Sequence, residues 1–245
     1  MKMDRRRFFA AGGTVGLGAL VAACSSEPAT TEAVVPTTEG GAASVSPQTP
    51  PSGELFPDTA SCTLTPAETE GPYYFDVNSI RTDIREDRPG TAFRLALRVR
   101  DAACAPIGNA VVDIWHCDAD GSYSGFESAS RGGGKSDAKT YLRGAQVTNT
   151  DGIVEFRTIY PGWYPGRAVH IHFKVHVDNA TVLTSQLYFD ENVTNAVYQA
   201  APYAGNGSRE TKNSNDSFFE DSLLLDLRKE DDGYLGVMTI GVKGS

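Results

Sequence analysis

A regular alternation of apolar and polar side chains limits the fold more than any other feature of this sequence. Residues 93–100 read Phe-Arg-Leu-Ala-Leu-Arg-Val-Arg, with a large apolar residue at every second position. Successive side chains of a β-strand point to opposite faces, so this period predicts a strand with one face in the core. Further strands are predicted over residues 110–117, 153–159, 169–177, 184–189 and 234–242, between turns rich in Gly, Pro, Asp and Asn. The predicted fold is therefore all-β, an antiparallel β-sandwich with few short helices and long loops.

Helical signals are few. Asp190 is placed to cap a short helix that carries Val193 and Val197. Residues 131–135 read Arg-Gly-Gly-Gly-Lys, but they lack the strand-to-helix context that a phosphate-binding P-loop requires. We interpret them as a surface loop.

The chain is predicted to have three parts. Residues 1–23 form a signal peptide, in which a basic stretch runs into an apolar segment that stops at Cys24. The basic stretch resembles a twin-arginine export signal, and residues 21–24, Val-Ala-Ala-Cys, resemble a bacterial lipobox whose cysteine is acylated after cleavage. Residues 24–57, rich in Pro, Thr, Ser and Gly, form a flexible tether, and residues 58–245 form one folded domain. We expect an exported bacterial lipoprotein, attached to the extracytoplasmic side of a membrane only through Cys24.

Composition narrows the choice of partners. The formal net charge of −9 argues against nucleic acid or anionic lipid as a partner. Three cysteines follow the lipobox, Cys62, Cys104 and Cys117, and an odd number in an oxidising compartment predicts one disulfide and one buried thiol. The pairing is open; Cys62 with Cys104 is preferred because Cys117 lies in a predicted core strand.

Three of the four histidines lie in one predicted strand. The strand period places His170, His172 and His176 on the same face. Imidazoles at positions i and i+2 can converge on one metal ion, although a polar edge strand could carry the same pattern. His176 is about 13 Å along the strand from His172, at about 3.3 Å per residue, which is too far to share that ion. His116 is predicted to be a surface or packing residue.

The surrounding motifs favour the metal site. They are Thr-Glu-Gly-Pro-Tyr-Tyr at 69–74, Val-Asp-Ile-Trp at 112–115, Phe-Arg-Thr-Ile at 156–159, the segment 164–172 and Gln-Leu-Tyr-Phe at 186–189. Taken together, they resemble the intradiol ring-cleavage dioxygenases, the family of catechol and protocatechuate dioxygenases, and the resemblance runs from about residue 62 to residue 242. It implies that residues 58–245 are a catalytic domain. The implied reaction opens a catechol-type ring between its two hydroxyl-bearing carbons with O2 and gives a muconate-type diacid.

The resemblance also implies a non-haem ferric iron, Fe(3+), with four ligands: Tyr123, Tyr164, His170 and His172. Phenolate oxygens are hard anionic donors that favour iron(III), and imidazoles complete the coordination without adding charge. Tyr164 is implied to be the ligand that leaves when the catechol binds, while Tyr123 stays. No nicotinamide or flavin is expected, because the sequence shows no dinucleotide-binding fingerprint.

Four side chains are predicted to contact the substrate. Arg167, three residues before His170, matches a family arginine that stabilises negative charge on the ring during oxygen attack. An ordinary ion pair is the alternative role for this arginine. Gln186, Tyr73 and Tyr74 match family residues beside the pocket.

Two other functions remain open at this stage. One is a lipid-anchored β-sandwich that binds aromatic ligands or a cell-surface partner without oxygenase activity. The other is an enzyme that uses the same residues around zinc or copper, although two tyrosines disfavour zinc. Only five residues separate Tyr164 from His170, fewer than in better-known family members. The particular catechol is therefore left open. The oligomeric state is open as well.

Overall fold

The computed structural model describes residues 53–57, 63–126 and 138–243. All of them belong to one unit, which spans Pro47–Ser245. The predicted signal peptide, Cys24, nearly all of the tether, Cys62 and the glycine-rich loop at 131–135 lie outside the described residues. Within those residues, no helix has the length and apolar character needed to cross a membrane.

The described residues form two β-sheets and one α-helix. The strands are β1 (Ala92–Arg100), β2 (Val111–Trp115), β3 (Arg143–Val147), β4 (Ile153–Ile159), β5 (His170–Val177), β6 (Ala180–Tyr188), β7 (Asp226–Glu230) and β8 (Gly233–Gly241), and helix α1 (Glu191–Val197) follows β6. Short 3₁₀ turns lie at Gly53–Leu55, Tyr203–Gly205, Asn213–Asn215 and Asp221–Leu223. One sheet has the order β4-β1-β8-β7 and the other the order β3-β2-β5-β6. The prediction of a β-rich fold is confirmed.

Strand pairing is antiparallel with one exception among the described strands. Strands β1 and β8 pair in parallel, with Ala92 opposite Gly233 and Arg100 opposite Gly241. The sheets are thus mainly antiparallel, as predicted, and this pair is the departure from the predicted antiparallel pattern. Parallel neighbours need a long crossover connection, and here residues 101–232 lie between the two strands.

Both sheets contribute side chains to one hydrophobic cluster. Leu95 of β1 belongs to it, as do Ile114 of β2 and Phe173 of β5. The alternation read from the sequence of β1 determines which of its side chains enter this cluster. The opposite face of β1 is not left to solvent, because Ala96 packs with Phe56 in a second buried cluster. The middle of β1 is therefore buried on both faces, whereas the sequence pattern predicted only one.

The structure contains every predicted strand and adds β3 and β7. Strand β6 begins at Ala180, four residues before its predicted start. It forms a tight hairpin with β5 through Asp178 and Asn179, whose φ angles are 50° and 62°. Asn and Asp tolerate the positive φ that a two-residue hairpin turn requires. This local turn brings β6 beside β5, the strand that carries the paired histidines.

Two further predictions can be compared with the described residues. Asp190 caps α1 as predicted, because its carboxylate accepts hydrogen bonds from the amides of Asn192 and Val193. Cys117 is a buried free thiol, and Cys104 is disulfide-bonded. One disulfide and one buried thiol are thus found where expected, while the preference for Cys62 as the partner stays a prediction.

Candidate metal and substrate site

Strand β5 brings two histidines together. His170 and His172 lie on the same face of the strand, and both are buried. Their Nε2 atoms are 3.0 Å apart. The Nδ1 atom of His170 lies 2.7 Å from the carbonyl oxygen of Ala168 and must donate to it, so the Nε2 atom of this neutral ring carries the free lone pair. The free lone pair of His170 is therefore directed toward His172.

Two loops that meet through their backbones carry the two tyrosines. The loop after β2 holds Tyr123, and the loop before β5 holds Tyr164. The amide of Gly162 in the second loop donates a 3.1 Å hydrogen bond to the carbonyl of Asp118 in the first. A Cβ atom on Gly162 would lie 2.3 Å from the carbonyl oxygen of Ala119, and one on Gly121 would lie 2.1 Å from the Trp163 oxygen. Only glycine permits so close an approach.

This approach places both phenols beside the histidines. The hydroxyl of Tyr164 lies 3.1 Å from Nε2 of His170. The rings of Tyr123 and Tyr164 are 5.7 Å apart between centroids, and the ring of Tyr123 is 6.3 Å from that of His172. The hydroxyl of Tyr123 is buried and makes no hydrogen bond of normal geometry to any described residue. The structure thus brings the four predicted ligands into one buried cluster.

Burial sets the charge state of this cluster. It raises the pKa of the Tyr123 phenol well above its usual value, with a further contribution from the neighbouring Tyr164, and it also raises the pKa of Tyr164. Burial lowers the pKa of His170 and of His172 well below the usual value, and the nearby positive charge of Arg167 acts in the same direction. In the absence of a cation all four groups are neutral at pH 7. A bound cation of high charge would deprotonate the phenols.

The donor set fits a hard, highly charged metal ion. In the described part of the chain, no group of three or more His, Cys, Asp and Glu side chains is arranged to hold a metal. A metal at this site would therefore depend on phenol oxygens in addition to the two imidazoles. The hydroxyl of Tyr123, which has no hydrogen-bond partner of normal geometry among the described residues, and the converging Nε2 atoms are buried polar groups that such an ion would satisfy.

Comparison with known proteins identifies the family. A family model described as a dioxygenase matches residues 69–219, more than half of the chain. The solved structure of an intradiol ring-cleavage dioxygenase from Tetranychus urticae is 34% identical, with a TM-score of 0.71, and the match covers 74% of this chain and 95% of that one. This chain belongs to the intradiol ring-cleavage dioxygenases.

Other members of the family are more distant or longer. The dioxygenase domain of a fusion protein from Streptomyces sp. SirexAA-E is 30% identical, with a TM-score of 0.58, and the match covers 75% of this chain and all of that domain. Chlorocatechol 1,2-dioxygenase from Rhodococcus opacus is 30% identical over 151 residues, which are 51% of this chain and 56% of that enzyme. The chain spans about half the length of the curated relatives it matches.

In this member of the family, Arg167 is held beside the four-residue cluster. Its Nε atom donates a 3.0 Å hydrogen bond to Asp216, and its Nη2 atom donates to the side-chain oxygen of Gln186 and to the hydroxyl of Tyr188. The amide nitrogen of Gln186 donates to the carbonyl of Thr69. Gln186 therefore connects Arg167 to the segment that precedes Tyr73. Both polar atoms of the Gln186 side chain take part in hydrogen bonds within the protein.

The structure separates the two neighbouring tyrosines Tyr73 and Tyr74. The ring of Tyr73 stacks on Tyr123 at 4.6 Å and contacts Tyr164 edge-on at 6.1 Å, so it joins the cluster. The ring of Tyr74 packs instead on Trp115, at 4.7 Å. It lines a separate groove that also contains Asp113 and His176. The ring contact of Tyr74 is thus with Trp115, which in turn stacks on His172.

Some site residues were not singled out from the sequence. Trp115 stacks on the ring of His172 at 5.0 Å and 4°. Tyr188 contacts Arg167, and its position two residues after Gln186 on β6 could have shown that both share a face. Asp216 comes from a distant loop, and no local pattern marks it.

The remaining histidines lie outside the cluster. His176 is half-buried and hydrogen-bonds with Thr181 at 3.0 Å. His116 is fully buried, which excludes the surface position and leaves the packing role. Its ring lies 2.7 Å from both the carbonyl of Cys117 and the hydroxyl of Thr158, and burial lowers its pKa to about 4.

Proposed function

We propose that this chain is a non-haem iron(III)-dependent intradiol dioxygenase that cleaves catechol-type aromatics with O2 to muconate-type diacids. The convergence of two buried phenols and two buried imidazoles is the observation that carries this proposal. Family membership supports the reaction class. The chain spans only about half of the catechol and chlorocatechol dioxygenases it matches, so their substrates are not transferred to it.

Tyr123, Tyr164, His170 and His172 would hold the iron. When bound, iron(III) would draw electron density from the catechol oxygens and make a ring carbon reactive toward O2. Two phenolates would offset most of its charge, and the two imidazoles would remain neutral because burial lowers the pKa of both rings. The same burial excludes water from the reacting groups.

The two tyrosines have different roles in this proposal. Tyr164 is 9% exposed, whereas Tyr123 is 1% exposed and stacked under Tyr73. Tyr164 is therefore the phenol that would give way to an incoming catechol. The oxygen of Tyr164 would then accept a proton from a catechol hydroxyl. Tyr123 would stay in place, because its ring stacks on Tyr73 and contacts Tyr164 edge-on.

Arg167 is the group that would stabilise negative charge on the ring. Its guanidinium is mostly buried, with a side chain that is 14% exposed. Its charge also opposes the rise in the pKa of both phenols that burial causes. A fixed cation in a site that excludes water stabilises developing negative charge far more than one in bulk water. The ion pair with Asp216 does not exclude this role, because the pair also orients the guanidinium.

Two single-atom deletions test the proposal. Tyr123→Phe and Tyr164→Phe each remove one phenol oxygen, so each should shift the visible charge-transfer band of the iron-loaded protein and depress turnover of catechol. Tyr234→Phe, in β8, is the matched control and should leave both unchanged. Unchanged turnover in both site variants would contradict the assignment and favour an aromatic-binding or cell-surface binding module without oxygenase activity.

We also propose that the protein is exported and anchored by lipid at Cys24. The basic stretch before an apolar segment and the Val-Ala-Ala-Cys sequence support this location. The wild type should be found in the membrane fraction with a lipid mass on Cys24, and Cys24→Ala should remove the lipid. Recovery of an unmodified Cys24 in a soluble fraction would contradict the anchor.

A further inference from the structure

A buried carboxylate from a distant loop contacts the segment that leads into the histidine pair. Asp216 ends the 3₁₀ turn Asn213–Asn215, and its side chain is 1% exposed. One carboxylate oxygen, Oδ2, accepts hydrogen bonds from Nε of Arg167 at 3.0 Å and from the amide of Ala168 at 2.7 Å. The other, Oδ1, accepts from the amide of Phe218 at 2.9 Å. Both carboxylate oxygens accept hydrogen bonds, so the orientation of the carboxylate is fixed.

The first effect of this arrangement is on the guanidinium of Arg167. Asp216 holds Nε, Gln186 and Tyr188 hold Nη2, and the ring of Phe218 packs 4.6 Å from the guanidinium carbon. Within the described residues, Nη1 makes no hydrogen bond. Because the other two nitrogens are already fixed, Nη1 is the donor left for a bound ligand.

The second effect is on His170. The amide of Ala168 donates to Asp216, and the carbonyl oxygen of Ala168 accepts from Nδ1 of His170 at 2.7 Å. A hydrogen bond at Nδ1 sets the orientation of an imidazole and leaves Nε2 as the metal-binding nitrogen. One carboxylate thus orients both Arg167 and the residue that orients His170.

We propose that Asp216 is a positioning residue of this site, which sets the direction of the Arg167 guanidinium and, through Ala168, the orientation of His170. The inference rests on the proposed dioxygenase function, because it assigns Asp216 a role in that reaction. A purely structural ion pair would need only the contact between Asp216 and Arg167. The additional bond to the Ala168 amide is the observation that connects Asp216 to the metal-binding face.

The test compares two Asp→Asn variants in the full, iron-loaded chain. Asp216→Asn keeps the shape of the side chain but removes its charge and one acceptor oxygen. Asp226→Asn is the control, because Asp226 makes a surface pair with Arg228 at 2.7 Å, away from the site. Displacements of about 1 Å near reacting groups cost about 100-fold in rate. We expect Asp216→Asn to lower kcat by about 10- to 100-fold with a smaller change in KM, and Asp226→Asn to match the wild type.

Two readouts other than activity separate positioning from loss of fold. The thermal midpoint of the variant shows whether the domain is folded, and the charge-transfer band shows whether iron is bound. We expect a folded protein with a retained band that is displaced in wavelength, because His170 loses its fixed orientation. Asp216→Glu, which restores the charge, should recover part of the lost kcat. If Asp216→Asn does not fold, Asp216→Glu alone should still lose at least about 5-fold in kcat.

A double-mutant cycle shows whether Asp216 acts through Arg167. Lysine cannot reproduce the two-sided contact of the guanidinium, so Arg167→Lys should itself lower kcat. The double variant should then lose much less than the product of the two single losses. Multiplicative losses, or a kcat for Asp216→Asn within twofold of the wild type, would overturn the positioning role while the dioxygenase function stands. A wild-type protein that binds iron but cleaves no catechol would overturn the proposed function, and this inference with it.

Discussion

The contact between the two tyrosine-bearing loops gives the sharpest structural prediction. Gly162→Ala would place a Cβ atom 2.3 Å from the carbonyl oxygen of Ala119 and 2.4 Å from that of Asp118. Both neighbours are backbone atoms, so no side chain can rotate away. The contact must open to more than 3.0 Å, because real Cβ atoms essentially never approach closer.

Two effects lower the free energy of unfolding of Gly162→Ala. Forcing additional volume into a packed region costs about 1–3 kcal/mol. Opening the contact also lengthens the 3.1 Å hydrogen bond from the Gly162 amide to Asp118, and its loss costs about 1 kcal/mol. We expect Gly162→Ala to lower the free energy of unfolding by about 2–4 kcal/mol. Because the two loops carry Tyr123 and Tyr164, we also expect iron affinity to fall by about 10- to 100-fold, as for disturbed supports of metal ligands.

Urea unfolding of the metal-free protein measures the first effect, and iron titration followed at the visible band measures the second. Gly205→Ala is the control, because a Cβ atom there meets nothing within 4 Å and the residue has no positive φ. Its unfolding free energy should stay within about 0.5 kcal/mol of the wild type. If Gly162→Ala matches Gly205→Ala in both measurements, the close approach of the loops does not shape the site.

Two other substitutions test the packing around the site. His116 has a pKa of about 4 in the fold against an ordinary value of 6.5, so it is neutral when folded and gains a proton on unfolding between these pH values. At 1.36 kcal/mol per pH unit, the unfolding free energy of the wild type relative to His116→Gln should fall by about 3 kcal/mol as the pH falls from 6.5 to 4. Urea unfolding measures this difference, and a difference that does not change with pH would contradict a buried neutral ring. Asp190→Ala removes the cap of α1 and should cost about 1 kcal/mol of unfolding free energy without moving the iron band.

The histidine pair was predictable because the signal is local. In β5 the strand period alone places His170 and His172 on one face, and the structure brings their Nε2 atoms to 3.0 Å. The alternation in β1 likewise predicted the side chains that enter the core. Tyr123 and Tyr164 needed the resemblance to a family, because their approach depends on two glycine contacts between separate loops.

What could not be predicted depends on contacts between distant parts of the chain. Strands β3 and β7 read Arg-Gly-Ala-Gln-Val and Asp-Leu-Arg-Lys-Glu, and both lie at sheet edges. Neither shows the apolar alternation that marks a strand with one buried face, and Arg143 of β3 is nevertheless buried. The burial of β1 on its second face depends on Phe56, far before it in sequence. Asp216 reaches Arg167 across 49 positions, so its role has no sequence pattern.

The most direct test of the proposed activity is a visible absorption spectrum of the purified iron-loaded chain, recorded before and after addition of catechol without oxygen. We expect a red-brown tyrosinate-to-iron(III) band that moves when catechol is added, because Tyr123 would remain bound while Tyr164 is displaced. A protein that stays colourless after iron reconstitution would contradict the iron(III) site and leave an aromatic-binding module as the better description.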